Sequence, residues 1–119
     1  MKPNYMYVND HNLIKQLANM FNSENGLYHG NKAIVALLSG KPVGILSLSN
    51  NWKEIVSLEV NPKYRRRGIA TQLIYFAKKL ARQHGRKKLS VVSMNMRSNA
   101  LYSRHGKKRQ KSSTFNIMI

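Results

Sequence analysis

The residues of this chain best suited to chemistry are the six at Arg65-Arg66-Arg67-Gly68-Ile69-Ala70, followed by Thr71. They fall between a β-prone run that ends at Asn61-Pro62 and a stretch of helical periodicity that begins at Ile69. A strand-to-helix junction of this kind presents backbone N–H groups that no helical carbonyl satisfies, at the positive end of the helix dipole. That is a pocket for phosphate. Gly68 and Ala70 carry little or no side chain, so a diphosphate can approach the backbone, and the three arginines add charge and forked donors. Neither Gly-Lys-Ser/Thr nor Gly-x-Gly-x-x-Gly occurs, which excludes the Walker and dinucleotide loops.

Other chemistry is sparse. The chain has no cysteine, which removes a disulfide framework, a thiolate metal site and a cysteine nucleophile together. His11, His29, His84 and His105 show no metal-ligand spacing and no carboxylate partner nearby in sequence, so no metal is expected; His29, in a polar loop, is the one worth testing. Only four carboxylates exist, Asp10, Glu24, Glu54 and Glu59, and the last two share one strand. Strict alternation places Glu54 and Glu59 on opposite faces of that strand unless a bulge intervenes.

The elements that must position these residues follow from periodicity. Asn9 and Asp10 start a helix to about Phe21, with Leu13, Leu17, Met20 and Phe21 on one face. Asn22 to Lys32 is a polar loop of a length that suits a substrate-facing segment. Ala33–Leu38 and Val43–Ser49 form a hairpin about Ser39-Gly40-Lys41-Pro42, and Glu54–Val60 is a third strand. A second helix carries Ile69, Leu73, Phe76, Ala77 and Leu80 on one stripe and ends at Gly85. A strand at Leu89–Ser93, a short helix at about Ser98–His105 and a closing hairpin complete the order α, β-β-β, α, β, α, β-β. The strand-helix-strand passage implies a parallel pair by the right-handed crossover rule, within a mixed sheet of otherwise antiparallel strands.

Charge divides the chain. It holds 21 Lys and Arg against 4 Asp and Glu over 119 residues, a net charge of +17, yet residues 61–119 carry sixteen of the cations and no carboxylate. The hydrophobic fraction of 42% argues for a folded protein rather than a solvated basic tail, and the length for one domain over residues 1–119. No segment approaches the ~20 apolar residues of a membrane span, so a soluble cytoplasmic protein with no membrane partner is expected. An excess this large points to an anionic partner.

The spacing Arg-x-x-Gly-x-Ala at Arg65–Ala70 resembles the acetyl-CoA loop of the GNAT superfamily of N-acetyltransferases. The preceding run, Ile55-Val56-Ser57-Leu58-Glu59-Val60-Asn61-Pro62-Lys63-Tyr64, is similar to that family's strand and turn. Farther on, Asn95-Met96-Arg97-Ser98-Asn99-Ala100-Leu101-Tyr102, closing at Gly106, resembles the family's Asn-x-x-Ala-x-x-Leu-Tyr segment, with Ser98 in place of Ala and Lys107 in place of the usual Phe. The resemblance covers about Ala33 to Ile119.

What this implies is an α/β (α+β) GNAT-like fold: a mixed sheet of about six to seven strands, a parallel central pair around a coenzyme A slot and three to four helices. The implied activity is transfer of an acetyl group from acetyl-CoA to a primary amine by direct attack in a ternary complex. By the same resemblance, backbone N–H groups at Leu58, Glu59 and Val60 stabilise the oxyanion and hold the pantetheine arm, and residues Arg65 to Thr71 hold the diphosphate. Asn95 bonds the arm, Tyr102 supplies the proton or hydrogen bond to the leaving sulfur, and Glu54 or Glu59 serves as base, with Glu54 slightly favoured. Trp52 either lines an acceptor pocket or caps the sheet edge.

Three arginines suffice for a diphosphate and leave thirteen cations of the second half without a role. They support an alternative, a GNAT-fold protein associated with nucleic acid, either weakened in catalysis or acting on an RNA-linked amine. Aromatic residues are few in the basic half, which argues against a stacking platform there. The expected acceptor is acidic or RNA-associated rather than cationic. The short N-terminal region leaves the acceptor site either open or completed by a second copy in a homodimer.

Overall fold

The computed structural model describes residues 2–21, 32–92, 101–108 and 114–119. In chain order the elements are β1 (Asn4–Val8), α1 (His11–Asn19), β2 (Lys32–Leu38), β3 (Lys41–Leu48), β4 (Ile55–Val60), a 3-10 turn (Pro62–Tyr64), α2 (Ile69–Gln83), β5 (Lys88–Val92), a helical turn at 101–103, β6 (Lys107–Lys108) and β7 (Thr114–Met118). Strands β1-β2-β3-β4 make one antiparallel sheet and β5-β7-β6 a second.

The two sheets meet between β4 and β5. Among the described residues the parallel contact there is a single isolated bridge, Glu54 to Ser90, reinforced by Ser90 N–H donating to the Lys53 carbonyl at 2.9 Å. The expected parallel pair is therefore one bridge at the mouth of the two strands, beyond which β4 has no described partner on that side.

Packing explains the layers. In β2 four consecutive residues, Ala33 to Ala36, are buried, as a central strand covered on both faces must be. One face packs under α1, where Ile14 is fully buried against Val8, Ala33, Val35 and Ile45. The other packs under α2 through Leu46, Leu48, Ile55, Ile69, Leu73 and Ala77, a core that continues to Leu89, Phe115 and Ile117 of the second sheet. Each such side chain contributes about 1.5–3 kcal/mol on burial.

Local chemistry sets the boundaries. Asp10 caps α1, accepting Leu13 N–H on its carboxylate at 3.1 Å. Ser39 and Gly40, both at positive φ (51° and 78°), form the tight β2–β3 turn. Gly85 at φ 79° ends α2, with Arg86 N–H reaching the Ala81 carbonyl and Gly85 N–H the Arg82 carbonyl. Strand β1 was not legible in the sequence, and α1 is shorter than its periodicity suggests, ending at Asn19 rather than Phe21. The polar loop with Glu24 and His29, the segment with Asn95 and Ser98, and the tip of the closing hairpin lie outside the described residues. No helix among the described residues is long and apolar enough to cross a membrane.

Candidate active site

The loop Arg65–Thr71 is built by the abrupt end of β4. Asn61 N–H still bonds the Val43 carbonyl of β3 at 2.9 Å, while its side chain accepts from Lys63 N–H at 3.0 Å and opens the 3-10 turn. Two left-handed residues follow, Arg66 at φ 64° and Gly68 at φ 78°. Such curls turn successive N–H groups toward one concavity.

Gly68 is the cap of α2 and offers no side chain to its amides. The first helical bond runs from Gln72 N–H to the Gly68 carbonyl at 3.0 Å, so the N–H groups of Ile69, Ala70 and Thr71 precede the ladder. A Cβ built on Gly68 meets nothing within 4 Å, so the space over the loop is open to a ligand. Of the arginines, Arg65 is held by Nε donating to the Val60 carbonyl at 3.3 Å, Arg67 lies over the Tyr64 ring at 5.3 Å, and Arg66 is exposed.

The helix start is brought to the sheet by Gly44. A Cβ there would stand 3.1 Å from Ile69 Cγ2 and 3.3 Å from Leu73 Cδ1, so glycine lets α2 lie this close to β3 without displacing either side chain. The bond from Asn61 to Val43 also fixes the phase of β4. Alternation then turns the backbone N–H groups of Leu58 and Val60 toward the edge on which β4 has no strand partner among the described residues, and that of Glu59 toward β3. Val60, whose carbonyl takes the Arg65 guanidinium, fits this phase.

A bulge decides the carboxylates. Ser47 pairs with Ser57 but Leu48 with Ile55, leaving Val56 as the extra residue of β4. Ile55, Leu58 and Val60 pack in the α2 core, so the extra residue places Glu54 and Glu59 on the same face, the α1 side, where Glu59 stands opposite Ile45. They remain at opposite ends of β4, roughly 15 Å apart along the strand. Glu54 lies in a cleft with Lys53, Arg86, Lys87 and Lys88.

Glu59 is the carboxylate whose charge acts on Tyr102. The Tyr102 ring is 4% exposed and packs against Phe115 at 6.0 Å. Its phenol is pushed up to about 12, first by burial and then by the negative charge of Glu59. The turn that carries it closes with His105 and Gly106 N–H groups on the Tyr102 carbonyl at 3.0 and 2.9 Å. Gly106 is required there, because a Cβ would run into the Asn116 carbonyl of β7.

His105 was given no role by sequence reasoning. Its Nε2 lies 3.4 Å from Thr71 Oγ1 in the first turn of α2, tying the Tyr102 turn to the Arg65–Thr71 loop. Burial, then Lys78 and Arg104, hold its imidazole below the usual histidine range. The two residues are 34 apart in sequence, and no local spacing could reveal the contact. Trp52, 9% exposed, is stacked on His84 at 3.8 Å and 13°, so it caps the core where the β3–β4 turn meets the end of α2. Among the described residues no group of three His, Asp or Glu is placed to hold a metal ion.

The fold is shared with known proteins. No curated protein matches the sequence. The chain resembles an aminoglycoside acetyltransferase from an uncultured soil metagenomic sample, at 25% identity over 92% of this chain and 94% of that one, with a TM-score of 0.71. It also shares its fold with the GCN5-related N-acetyltransferase from Rhodopseudomonas palustris, at 20% identity, TM-score 0.69, over 100% and 97% of the two chains. The PaiA N-acetyltransferase from Thermoplasma acidophilum, solved in complex with coenzyme A, is similar at 16% identity and TM-score 0.69 over 98% of each. The family model for the Acetyltransferase (GNAT) family matches residues 5–106, and the chain therefore belongs to the GNAT acetyltransferases, enzymes that depend on acetyl-CoA.

Proposed function

We propose that this protein acetylates a primary amine by direct attack in a ternary complex, with the diphosphate of acetyl-CoA at the start of α2. The observation that carries the reading is the uncapped, glycine-started N-terminus of α2, to whose first turn the Tyr102-bearing turn is tied through Thr71 and His105. Acetyl-CoA supplies an acetyl group activated as a thioester. The N–H groups of Ile69, Ala70 and Thr71, with Arg66 beside them, suit its phosphates, and the open space over Gly68 admits them.

The remaining roles follow from proton affinity and edge geometry. Tyr102 holds its proton throughout the physiological range, so it serves as a donor and not as a base. Glu59 is the carboxylate able to take a proton from the incoming ammonium group. Backbone N–H groups of Leu58 and Val60, facing the edge on which β4 has no strand partner among the described residues, are donors for developing negative charge; loss of such a donor costs about 3 kcal/mol. Glu54 stands too far along β4 to share this work. The acceptor is an amine without strong positive charge of its own, since a chain of net +17 repels a polycation.

The test is thiol release from acetyl-CoA across a panel of neutral and acidic amines, aminoacylated RNA included. A signal that needs both acetyl-CoA and an amine, and that Tyr102→Phe lowers, supports the assignment. Hydrolysis unaffected by any amine opposes it.

A further inference from the structure

Strand β1 changes what the basic half of the chain can do. Its register sets Tyr5 opposite Ala36 and Tyr7 opposite Ile34, on the face that packs against α2. There the two tyrosines wall a cleft of about 260 Å³ with Ile34, Phe76, Lys79 and Gln83. Tyr5 packs on Phe76 at 5.0 Å with planes tilted by 30°, and Tyr7 meets Trp52 at 6.0 Å, which in turn stacks on His84. Tyr7 is 39% exposed.

The row of rings leads into a second cleft. Asn51, next to Trp52, takes the Arg86 guanidinium on its carbonyl at 2.9 Å, and Arg86 follows His84 by two residues. That cleft, of about 420 Å³, sets Lys53, Arg86, Lys87 and Lys88 against one carboxylate, Glu54. Rings and cations that are far apart in sequence thus lie along the C-terminal half of α2 and the turn that follows it. Phe76 stands about 10 Å along α2 from Ile69 and Gln83 about 21 Å, so this path lies away from the Arg65–Thr71 loop at the helix start.

The geometry points to a binding track for single-stranded nucleic acid, with bases stacking on Tyr5 and Tyr7 and phosphates running past Lys79 to Lys53, Arg86, Lys87 and Lys88. Aromatic faces accept any base and cations neutralise the backbone, so the combination selects unpaired strands with little sequence preference. A duplex keeps its bases inside and offers the rings nothing. The track accounts for five of the cations that a diphosphate does not need.

Anisotropy of labelled oligo(U) and oligo(dT) of about twelve nucleotides tests it, with quenching of the single tryptophan, Trp52, as a second readout. Both strands bind at low salt, and log K falls against log salt with a slope of about −3.5 for five phosphate contacts. Tyr7→Ala weakens binding about tenfold or more, and Tyr5→Leu, which keeps an apolar contact with Phe76, gives the same loss if Tyr7→Ala melts early. Lys87→Gln with Lys88→Gln flattens the salt slope by about 1.4. Any of three results overturns the track: no binding at low salt, a duplex of the same length bound as tightly as the single strand, or both tyrosine variants binding like the parent. Comparison of the two oligonucleotides tells RNA from DNA. The melting shift with acetyl-CoA, read on the same preparation, is independent of this result.

Discussion

Burial of Tyr102, and then the negative charge of Glu59, oppose ionisation of the tyrosine hydroxyl and push the phenol up to about 12. The phenol of the turn before β6 therefore keeps its proton through the physiological range, and an acid of β4 contributes to holding it there. Replacing either partner separates their contributions.

Tyr102→Phe removes the donor and leaves the Arg65–Thr71 loop intact. Turnover is expected to fall about 10²- to 10⁴-fold, while stabilisation by acetyl-CoA persists. Steady-state kinetics beside a melting scan with and without acetyl-CoA checks both.

The raised phenol also fixes a pH dependence. Tyrosine is neutral when protonated, and the unfolded chain releases this proton near 10 whereas the folded chain holds it to about 12. The contribution is thus complete below pH 10 and is lost as pH rises from 10 to 12, about 2–3 kcal/mol in all. Tyr102→Phe should abolish that part of the alkaline loss in urea titrations, and Glu59→Gln should lower the tyrosinate midpoint by the smaller part of its shift in ultraviolet titration, burial still holding it above 10.

His105 behaves oppositely. Its folded midpoint lies below the ordinary 6.5, so its contribution to stability is present above 6.5 and is lost as pH falls through the folded midpoint. Because it contacts Thr71 in the first turn of α2, a diphosphate arriving there should raise the midpoint. A ring-proton NMR titration with and without coenzyme A measures the shift, and an unchanged midpoint would place the phosphates elsewhere.

The two glycines of the site fail in different ways when given a Cβ. Gly44→Ala crowds Ile69 and Leu73, costs about 1–3 kcal/mol and weakens acetyl-CoA binding by moving α2. Gly68→Ala meets no atom, so its cost to the free protein is the left-handed backbone alone, about 1 kcal/mol. Its larger effect is on acetyl-CoA affinity. Denaturation and calorimetric titration of the two variants distinguish the mechanisms.

Much of this architecture was legible because its signals are local. The Ser39-Gly40 turn, the Asp10 cap, the stripe of α2 and the Gly85 stop each depend on a few neighbouring residues. Strand β1 was missed because five residues with apolar side chains on both faces carry no turn signal, and its partner β2 lies beyond α1. Face assignment of Glu54 and Glu59 failed under strict alternation because the bulge at Val56 shifts the phase, and nothing in the run Ile55-Val56-Ser57 announces a bulge. The tie between Thr71 and His105 and the gathering of Tyr5 and Tyr7 at α2 are tertiary, so composition misjudged how aromatic the basic surface is.

Calorimetric titration of acetyl-CoA into the protein and into Gly68→Val tests the central claim most directly. One molecule bound per chain by the parent, with binding lost in Gly68→Val while the variant still melts cooperatively, is the expected result. Equal binding by both, or none by the parent at millimolar acetyl-CoA, would contradict the placement of its diphosphate at the start of α2.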